Sequence, residues 1–232
     1  SIREQAAEHD LRDTRAHIFF AGGTFETPWY IRGLERFLLD MYEHPEFVDA
    51  ICTRVGDHYQ ERAFRAIDQA GEYFHMVGSG GDIGTQRGMM LAPDMWRKHI
   101  KRHAKRLIMP FRERGYMTFY HSCGSLVPVI EDFIEIGLQF LEPIQVTAAG
   151  MQPDRLFEQF GERLSFHGAV DEVELLPHAT SAEVYDATLD LIDQLGGNHG
   201  FIVAPSHQVQ GDTPPENVEA IYRAVADYPR VR

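Results

Sequence analysis

The sequence is poor in cysteine, has fewer basic than acidic residues, and contains no apolar run of the ~18 residues that a transmembrane helix needs. Its 232 residues include two cysteines, Cys52 and Cys123, far apart in the chain. We therefore expect no disulfide framework and a reducing, cytoplasmic location. Lys and Arg number 22 against 35 Asp and Glu, a formal charge of −13. That balance argues against a nucleic-acid partner, because such proteins carry a basic footprint.

The N-terminal stretch SIREQAAEHDLRDTRAH is polar and mixed in charge, which is not typical of a signal peptide, and we expect no membrane partner. The chain is 44% hydrophobic and 25% charged, as globular proteins are. It contains no long linker, internal repeat or low-complexity segment. We expect a single domain over residues 1–232.

Short apolar runs alternate with Gly-rich or polar turns and helical stretches. This alternation predicts an α/β fold, a parallel sheet covered by helices, with six strand–helix units. No G-x-G-x-x-G follows the first strand, so a dinucleotide-binding fold is the weaker interpretation. The expected strands are 17–21, 73–77, 117–120, 138–141, 164–167 and 201–204, and the longer expected helices are 30–41, 46–71, 93–114, 181–195 and 216–226.

His121 and Cys123, in the stretch HSCGS, follow the third strand and are two residues apart. Residues i and i+2 of a strand share a face, and imidazole with thiolate is a good beginning for a zinc site. The spacing alone is weak evidence, since a buried Cys beside a hydrogen-bonded His is common in protein cores.

Other polar side chains follow the other strands, at the end of the sheet where functional loops lie in barrels and doubly wound folds. His207 is the natural third zinc ligand. Each of the others has a structural alternative: Asp171 as a helix cap, His167 as a core histidine, Glu142 as a turn residue. These rim residues are Asp82 (within GSGGDIG), Glu142, His167, Asp171 and His207.

Several stretches together resemble the uroporphyrinogen decarboxylase superfamily. They are FFAGGTFETPWYIRG, GSGGDIGTQRGMMLAP, HSCGS, EDFIEIGLQFLEPIQ, LSFHGAVDE and APSHQVQGDTPPEN. The resemblance spans essentially the whole chain and implies a (β/α)8 TIM barrel whose active site lies at the C-terminal strand ends.

The resemblance implies two chemistries. The corrinoid-linked methyltransferases of the superfamily bind zinc through an H-x-C pair, which His121 and Cys123 match, and through a Cys near the last strand. Here that last position is His207, which is what the decarboxylases show. A zinc site of His121, Cys123 and His207 is consistent with both the methyltransferase-like H-x-C pair and the decarboxylase-like histidine. In this interpretation the corrinoid is supplied by a partner protein or as a substrate. The alternative is decarboxylation of uroporphyrinogen or a related carboxylate without a cofactor.

Roles for the rim residues follow from these expectations. We expect His207, Asp82 and Glu142 to be catalytic, and His207 to act as a proton donor if the reaction is decarboxylation. The expected contacts to a small-molecule substrate are Tyr30, Gln145, His167 and Asp171.

The six units match strands three to eight of the family fold, so we expect the first two strands to be absent from this sequence. Such a barrel has two unpaired sheet edges, which a homodimer or another segment would cover. A third hypothesis is therefore a barrel remnant that binds metal or a partner without catalysis.

Overall fold

The structure is a computed structural model that describes residues 2–8, 10, 14–196 and 200–229. The chain divides into two compact units. The first comprises Ser1–Ile83, Met89–Ser122 and Pro128–Gln139, and the second comprises Gly84–Gly88, Cys123–Val127 and Phe140–Arg232. The expectation of one domain over residues 1–232 stays a prediction. Among the helices of the described residues, none is both long and apolar enough to cross a membrane.

Strands and helices alternate along the chain as the sequence pattern predicts. A single 3-10 turn, Gly71–Tyr73, precedes the second strand. In chain order the elements are α1 (Ile2–Glu8), β1 (Ile18–Gly23), α2 (Glu26–Arg32), α3 (Leu34–Glu43), α4 (Pro45–Ala70), β2 (Met76–Gly80), β3 (Gly84–Thr85), β4 (Gly88–Met89), α5 (Pro93–His99), α6 (Lys101–Glu113), β5 (Met117–His121), α7 (Val127–Glu135), β6 (Phe140–Ile144), α8 (Pro153–Phe160), β7 (Ser165–Val170), α9 (Leu175–His178), α10 (Ser181–Leu195), β8 (Phe201–Pro205) and α11 (Pro215–Asp227).

In the first unit, β2 lies between β1 and β5 and is parallel to both. Gly23 pairs with Gly80, and Gly80 pairs with His121, so the C-terminal ends of the three strands lie side by side. Helices α4 and α6 cover one face of these strands through a core of small, aliphatic and aromatic side chains. Its fully or nearly buried members are Ala21, Ala63, Ile67, Val77 and Phe111.

In the second unit, β7 lies between β6 and β8 and is again parallel to both. Helices α9, α10 and α11 supply the apolar side chains that bury β7. The core members are Val170, Leu176, Val184, Ala220 and Ile221. Each unit thus has three parallel strands with helices against them, and the six predicted strands are confirmed.

Two predicted helices are wrong in extent because each divides. The helix expected over residues 30–41 becomes α2 and α3, which meet at Gly33 with φ +87°, a backbone conformation that L side chains rarely adopt. The helix expected over residues 93–114 divides at Ile100, where φ is −114° and where His103 N–H bonds the Ile100 carbonyl in a tighter, three-residue turn.

The strands end later than expected, and the difference is three residues for β2, β6 and β7, which end at residues 80, 144 and 170. Glu142 therefore lies within β6 and does not follow it, whereas His167 lies within β7, as the expected strand 164–167 has it. β7 continues despite positive φ angles at Gly168 (+103°) and Ala169 (+79°). A Gly-Ala sequence, which is typical of a turn, therefore lies here inside a strand, because β7 stays paired with β6 on one side and with β8 on the other.

Candidate functional site

The ends of β2 and β5 bring Asp82 and His121 together in the first unit. The chain turns after Gly80, and the N–H of Gly81 donates to the carbonyl of His121 at 2.9 Å, which ties this turn to the end of β5. The carboxylate Oδ1 of Asp82 lies 3.5 Å from Nε2 of His121. Two residues that the sequence assigns to different strand ends are thus within ion-pair distance.

The residues on either side of His121 hold the loop that carries this carboxylate. Tyr120 is 1% exposed, and its hydroxyl donates to the carbonyl of Gly81 at 3.3 Å. Ser122 is fully buried, and its hydroxyl accepts from the N–H of Ile83 at 3.1 Å. The backbone of the loop is therefore held on both sides of its acidic residue, which keeps Asp82 beside the end of β5.

Glu26, in the first turn of α2, also belongs to this group and is not among the predicted site residues. Its carboxylate accepts from the backbone N–H of Asp82 and, at 3.3 Å, from the hydroxyl of Tyr30. Burial, followed by the charge of Asp82, raises the pKa of Glu26. An acid in the first turn of a helix usually interacts only with the helix dipole, so its position does not mark Glu26 as a site residue. The sequence feature that could have identified it is the four-residue spacing to Tyr30, which places the two side chains on one face of the helix.

Glu26 and Tyr30 also line a cavity of about 310 Å³ in the first unit. Arg62 of α4 closes one side, with Nη2 donating to the carbonyls of Phe20 at 3.1 Å and Ala21 at 2.6 Å. Its guanidinium stacks 5.2 Å from the ring of Tyr59. Tyr30 is 65% exposed, and its predicted substrate contact stays a prediction.

The predicted ligand Cys123 follows His121 by two residues and begins a segment of the second unit. Its side chain is half-buried, and neither it nor Cys52 is in a disulfide. The next N–H, that of Gly124, donates to Oε1 of Gln145 at 2.6 Å. Cys52, by contrast, lies in the core of α4, where burial raises the pKa of its thiol to about 12.

Glu142 and His167 form a second carboxylate–imidazole pair, within the second unit. The distance from Oε1 of Glu142 to Nδ1 of His167 is 3.7 Å, and both side chains are half-buried. The residues come from neighbouring strands, β6 and β7. Their predicted roles in catalysis and substrate binding stay predictions.

Asp171, directly after β7, has the structural role that the sequence allowed as an alternative. Its carboxylate accepts from the backbone N–H groups of Val173 (3.2 Å), Glu174 (3.0 Å) and Leu175 (3.2 Å). Val173 and Glu174 lie in the turn that leads into α9, and Leu175 is the first residue of that helix, so the side chain holds this turn and the start of the helix. Its predicted contact to substrate stays a prediction.

His207, two residues after β8, is exposed and lines an apolar cavity of about 500 Å³ in the second unit. The residue before it is anchored: the hydroxyl of Ser206 donates to the carboxylate of Glu172, and its backbone N–H donates to the carbonyl of Val170 at 2.8 Å. The assignment of His207 as a third zinc ligand stays a prediction.

A further set of possible ligands, Asp40, Glu43 and His44, lies at the end of α3. Asp40 is fully buried and is paired with Arg32 at 2.6 Å and Arg36 at 2.9 Å. Its hydrogen bond with Arg32 lowers the pKa of Asp40. Two arginines already supply the positive charge there, which disfavours a metal ion.

Comparison with known proteins points to one family. A sequence model of the family "Uroporphyrinogen decarboxylase (URO-D)" matches residues 5–228. No curated protein matches the chain.

Among solved structures, a methyltransferase from Methanosarcina mazei is similar at 15% sequence identity and a TM-score of 0.75. The alignment covers 98% of this chain and 64% of that one, so the chain spans less than two thirds of the methyltransferase's length. An oligosaccharide-binding protein of the GH128 class from Cryptococcus neoformans aligns at 8% identity over 67% of this chain and 70% of its own. Its TM-score of 0.37 is too low to carry an argument.

Proposed function

Because the chain belongs to the uroporphyrinogen decarboxylase family, whose TIM-barrel fold class it shares with the archaeal methyltransferase, we propose that it is a zinc-dependent methyltransferase. It transfers a methyl group between a methylated corrinoid, or a methylated substrate, and a thiol. The corrinoid is a substrate or is presented by a corrinoid protein. The 15% identity to the methyltransferase supports the fold, and the site residues carry the rest of the proposal.

The observation that carries the proposal is the 3.5 Å distance between Asp82 Oδ1 and His121 Nε2. Two ligands of one tetrahedral zinc ion, each bound at about 2.1 Å, lie about 3.4 Å apart. Cys123, two residues after His121 in the chain, adds a thiol, and a carboxylate, an imidazole and a thiolate are all ligand types that zinc accepts. We propose Asp82, His121 and Cys123 as the three protein ligands, with His207 as the alternative to Asp82, so that the fourth position of the zinc stays open for the substrate thiol.

Zinc bound here would lower the pKa of a substrate thiol and so keep it as a thiolate at neutral pH. The chain's own groups orient and desolvate the reactants. Tyr120 and Ser122 fix the loop of Asp82, so the ligand geometry exists before substrate binds. Glu26, with its raised pKa, is a stronger base than an ordinary carboxylate and is the proposed acceptor of the proton that the thiol loses.

The zinc content of the purified protein tests this proposal. We expect about one equivalent of zinc in the wild type and less than about a tenth in Cys123→Ala, since a lost thiolate ligand removes most of the affinity. Cys52→Ala is the matched control, because it removes the other thiol, in the core of α4, and should keep the metal. Wild-type protein with less than about a tenth of an equivalent, unchanged in Cys123→Ala, would remove the proposal.

An activity assay complements the metal analysis. Demethylation of free methylcobalamin in the presence of a small thiol, followed by its absorbance, should be lost when a chelator removes the zinc, return when zinc is added back, and be lost in Cys123→Ala. Cys52→Ala should retain the rate.

Decarboxylation is the second proposal, and His207 is the observation that favours it. An exposed imidazole beside an apolar cavity is a suitable proton donor for a carbanion left by CO₂. Metal-free protein that decarboxylates a porphyrinogen, with the activity lost in His207→Ala, would support this function over methyl transfer.

A further inference from the structure

Gln145, the residue after β6, has a side chain that is 8% exposed. Its Oε1 accepts a hydrogen bond of 2.6 Å from the backbone N–H of Gly124. That N–H belongs to the peptide group that joins Cys123 to Gly124. A bond at this point therefore fixes the rotation of the peptide that follows the thiol.

The same segment is held on its other side by backbone. The N–H of Ser125 donates to the carbonyl of Thr85 at 2.9 Å. A Cβ at Gly84 would lie 2.5 Å from the carbonyl oxygen of Cys123, and one at Gly124 would lie 2.5 Å from the N of Thr85. Gly124 also has φ +79°. The chain thus passes between the 84–85 backbone and the amide of Gln145 with no room for a side chain at either glycine.

We propose that Gln145 is a positioning residue for the metal centre: its amide oxygen holds the Cys123–Gly124 peptide so that Sγ of Cys123 keeps one direction. The inference rests on the proposed function, which makes Cys123 a metal ligand, and it differs from a substrate contact for Gln145. A ligand whose backbone is fixed loses less entropy on binding metal, and groups that orient ligands typically contribute about 10–100-fold to metal affinity.

The test compares Gln145→Met with Gln139→Met. Met matches the volume and length of Gln but offers no comparable acceptor. Gln139 is the matched control, because its Oε1 also accepts from a backbone N–H, that of Thr118 at 3.3 Å, at the other end of β6. Zinc affinity is measured by chelator competition, and the geometry by the thiolate-to-metal absorption band of the cobalt(II)-loaded protein. A third variant, Gln145→Glu, keeps an oxygen acceptor.

We expect Gln145→Met to bind zinc about 10–100-fold more weakly than the wild type and to show a weakened or shifted cobalt–thiolate band. Gln139→Met and Gln145→Glu should stay within about threefold of the wild-type affinity, which a general packing defect would not produce. A wild-type affinity and band in Gln145→Met would overturn the inference alone. A wild type that binds no zinc would overturn the proposed function and this inference with it.

A second measurement needs no variant to fold. In the wild type, the amide proton of Gly124 should exchange with solvent much more slowly than that of Gly211, which is exposed and lies in a turn. Exchange of Gly124 at the rate of an unstructured amide would contradict the proposed hydrogen bond.

Discussion

Asp82 and Asp171 have similar places in the sequence pattern, since each follows a parallel strand by one or two residues. Their surroundings differ. Asp171 accepts three backbone hydrogen bonds from the turn before α9 and from the first residue of that helix. Asp82 faces the imidazole of His121, on a loop that Tyr120 and Ser122 fix. A position just after a strand therefore predicts that a residue lies at the C-terminal end of the sheet. Whether its carboxylate is structural or available to a ligand depends on the hydrogen bonds that the carboxylate makes.

Metal affinity should separate the two aspartates most clearly. In Asp82→Asn the carboxylate ligand becomes a neutral amide, and we expect zinc affinity to fall about 100-fold or more, beyond what loss of an orienting group costs. In Asp171→Asn the affinity should change little, because that side chain serves a helix. Chelator competition measures both, and equal losses in the two variants would show that the comparison is wrong.

Stability should change in the opposite order. Asp171→Ala leaves three N–H groups, in the turn before α9 and at its first residue, without their carboxylate acceptor, and we expect it to lower the free energy of unfolding by about 2 kcal/mol. Asp82→Ala of metal-free protein should change it by less than about 0.5 kcal/mol. Urea denaturation of both variants gives these values. A larger loss in Asp82→Ala would mean that Asp82 has the structural role.

The pH dependence of stability provides a further test. The contribution of a buried histidine, His103, has to be known first, because it changes the stability of the whole protein between pH 7 and 4. Burial, helped by Arg102 and Arg106, lowers the pKa of His103 to about 4. The folded protein then binds fewer protons at this site than the unfolded chain does between pH 6.5 and about 4, so stability is lost as pH falls through that window. We expect a loss of about 2–3 kcal/mol between pH 7 and 4.

His103→Gln should remove most of that acid-dependent loss, whatever its effect at neutral pH. Denaturation at both pH values measures it. The same slope in wild type and variant would show that His103 does not titrate as its burial implies.

Glu26 should have the smallest effect, and of opposite sign. Because its pKa is raised in the folded state, the folded protein keeps its proton to higher pH than the unfolded chain does. Its contribution to stability therefore falls as pH rises above the unfolded value of 4.5. Glu26→Gln should make the protein slightly more stable at pH 7, with little change at pH 4.

Glu219→Gln, which alters an exposed carboxylate on α11, is the control for Glu26→Gln. A gain in neutral-pH stability in both variants would trace the effect to the protein's net charge of −13 and not to Asp82.

The fold was predictable where local patterns determine it. Apolar runs such as 201–204 became strands, and β8 covers Phe201–Pro205. The pattern failed at Gly33 and Ile100, because a helix break is decided by single backbone angles that amphipathic spacing does not encode. It also ended β7 too early, since neighbouring strands on both sides stabilise a segment with unfavourable φ angles.

The candidate site was predictable in its rim but not in its contacts. Asp82 and His121 were both expected at strand ends. That their side chains lie 3.5 Å apart could not be read from either segment alone. Glu26 was missed because its helical position offers a common structural explanation. The predicted substrate contact of Gln145 stays a prediction; its hydrogen bond to the backbone of Gly124, between segments 21 residues apart, could not be read from the sequence.

The two glycines at the cysteine loop determine which mutations this protein tolerates. A saturation library should return only glycine at 84 and 124, since any Cβ there meets backbone atoms at 2.5 Å that have no room to move. Gly211 has open space around it and should accept nearly any residue. Variants of this loop should therefore be made at neighbouring residues such as Gln86 or Thr147, because the two glycines fix the backbone conformation of the loop.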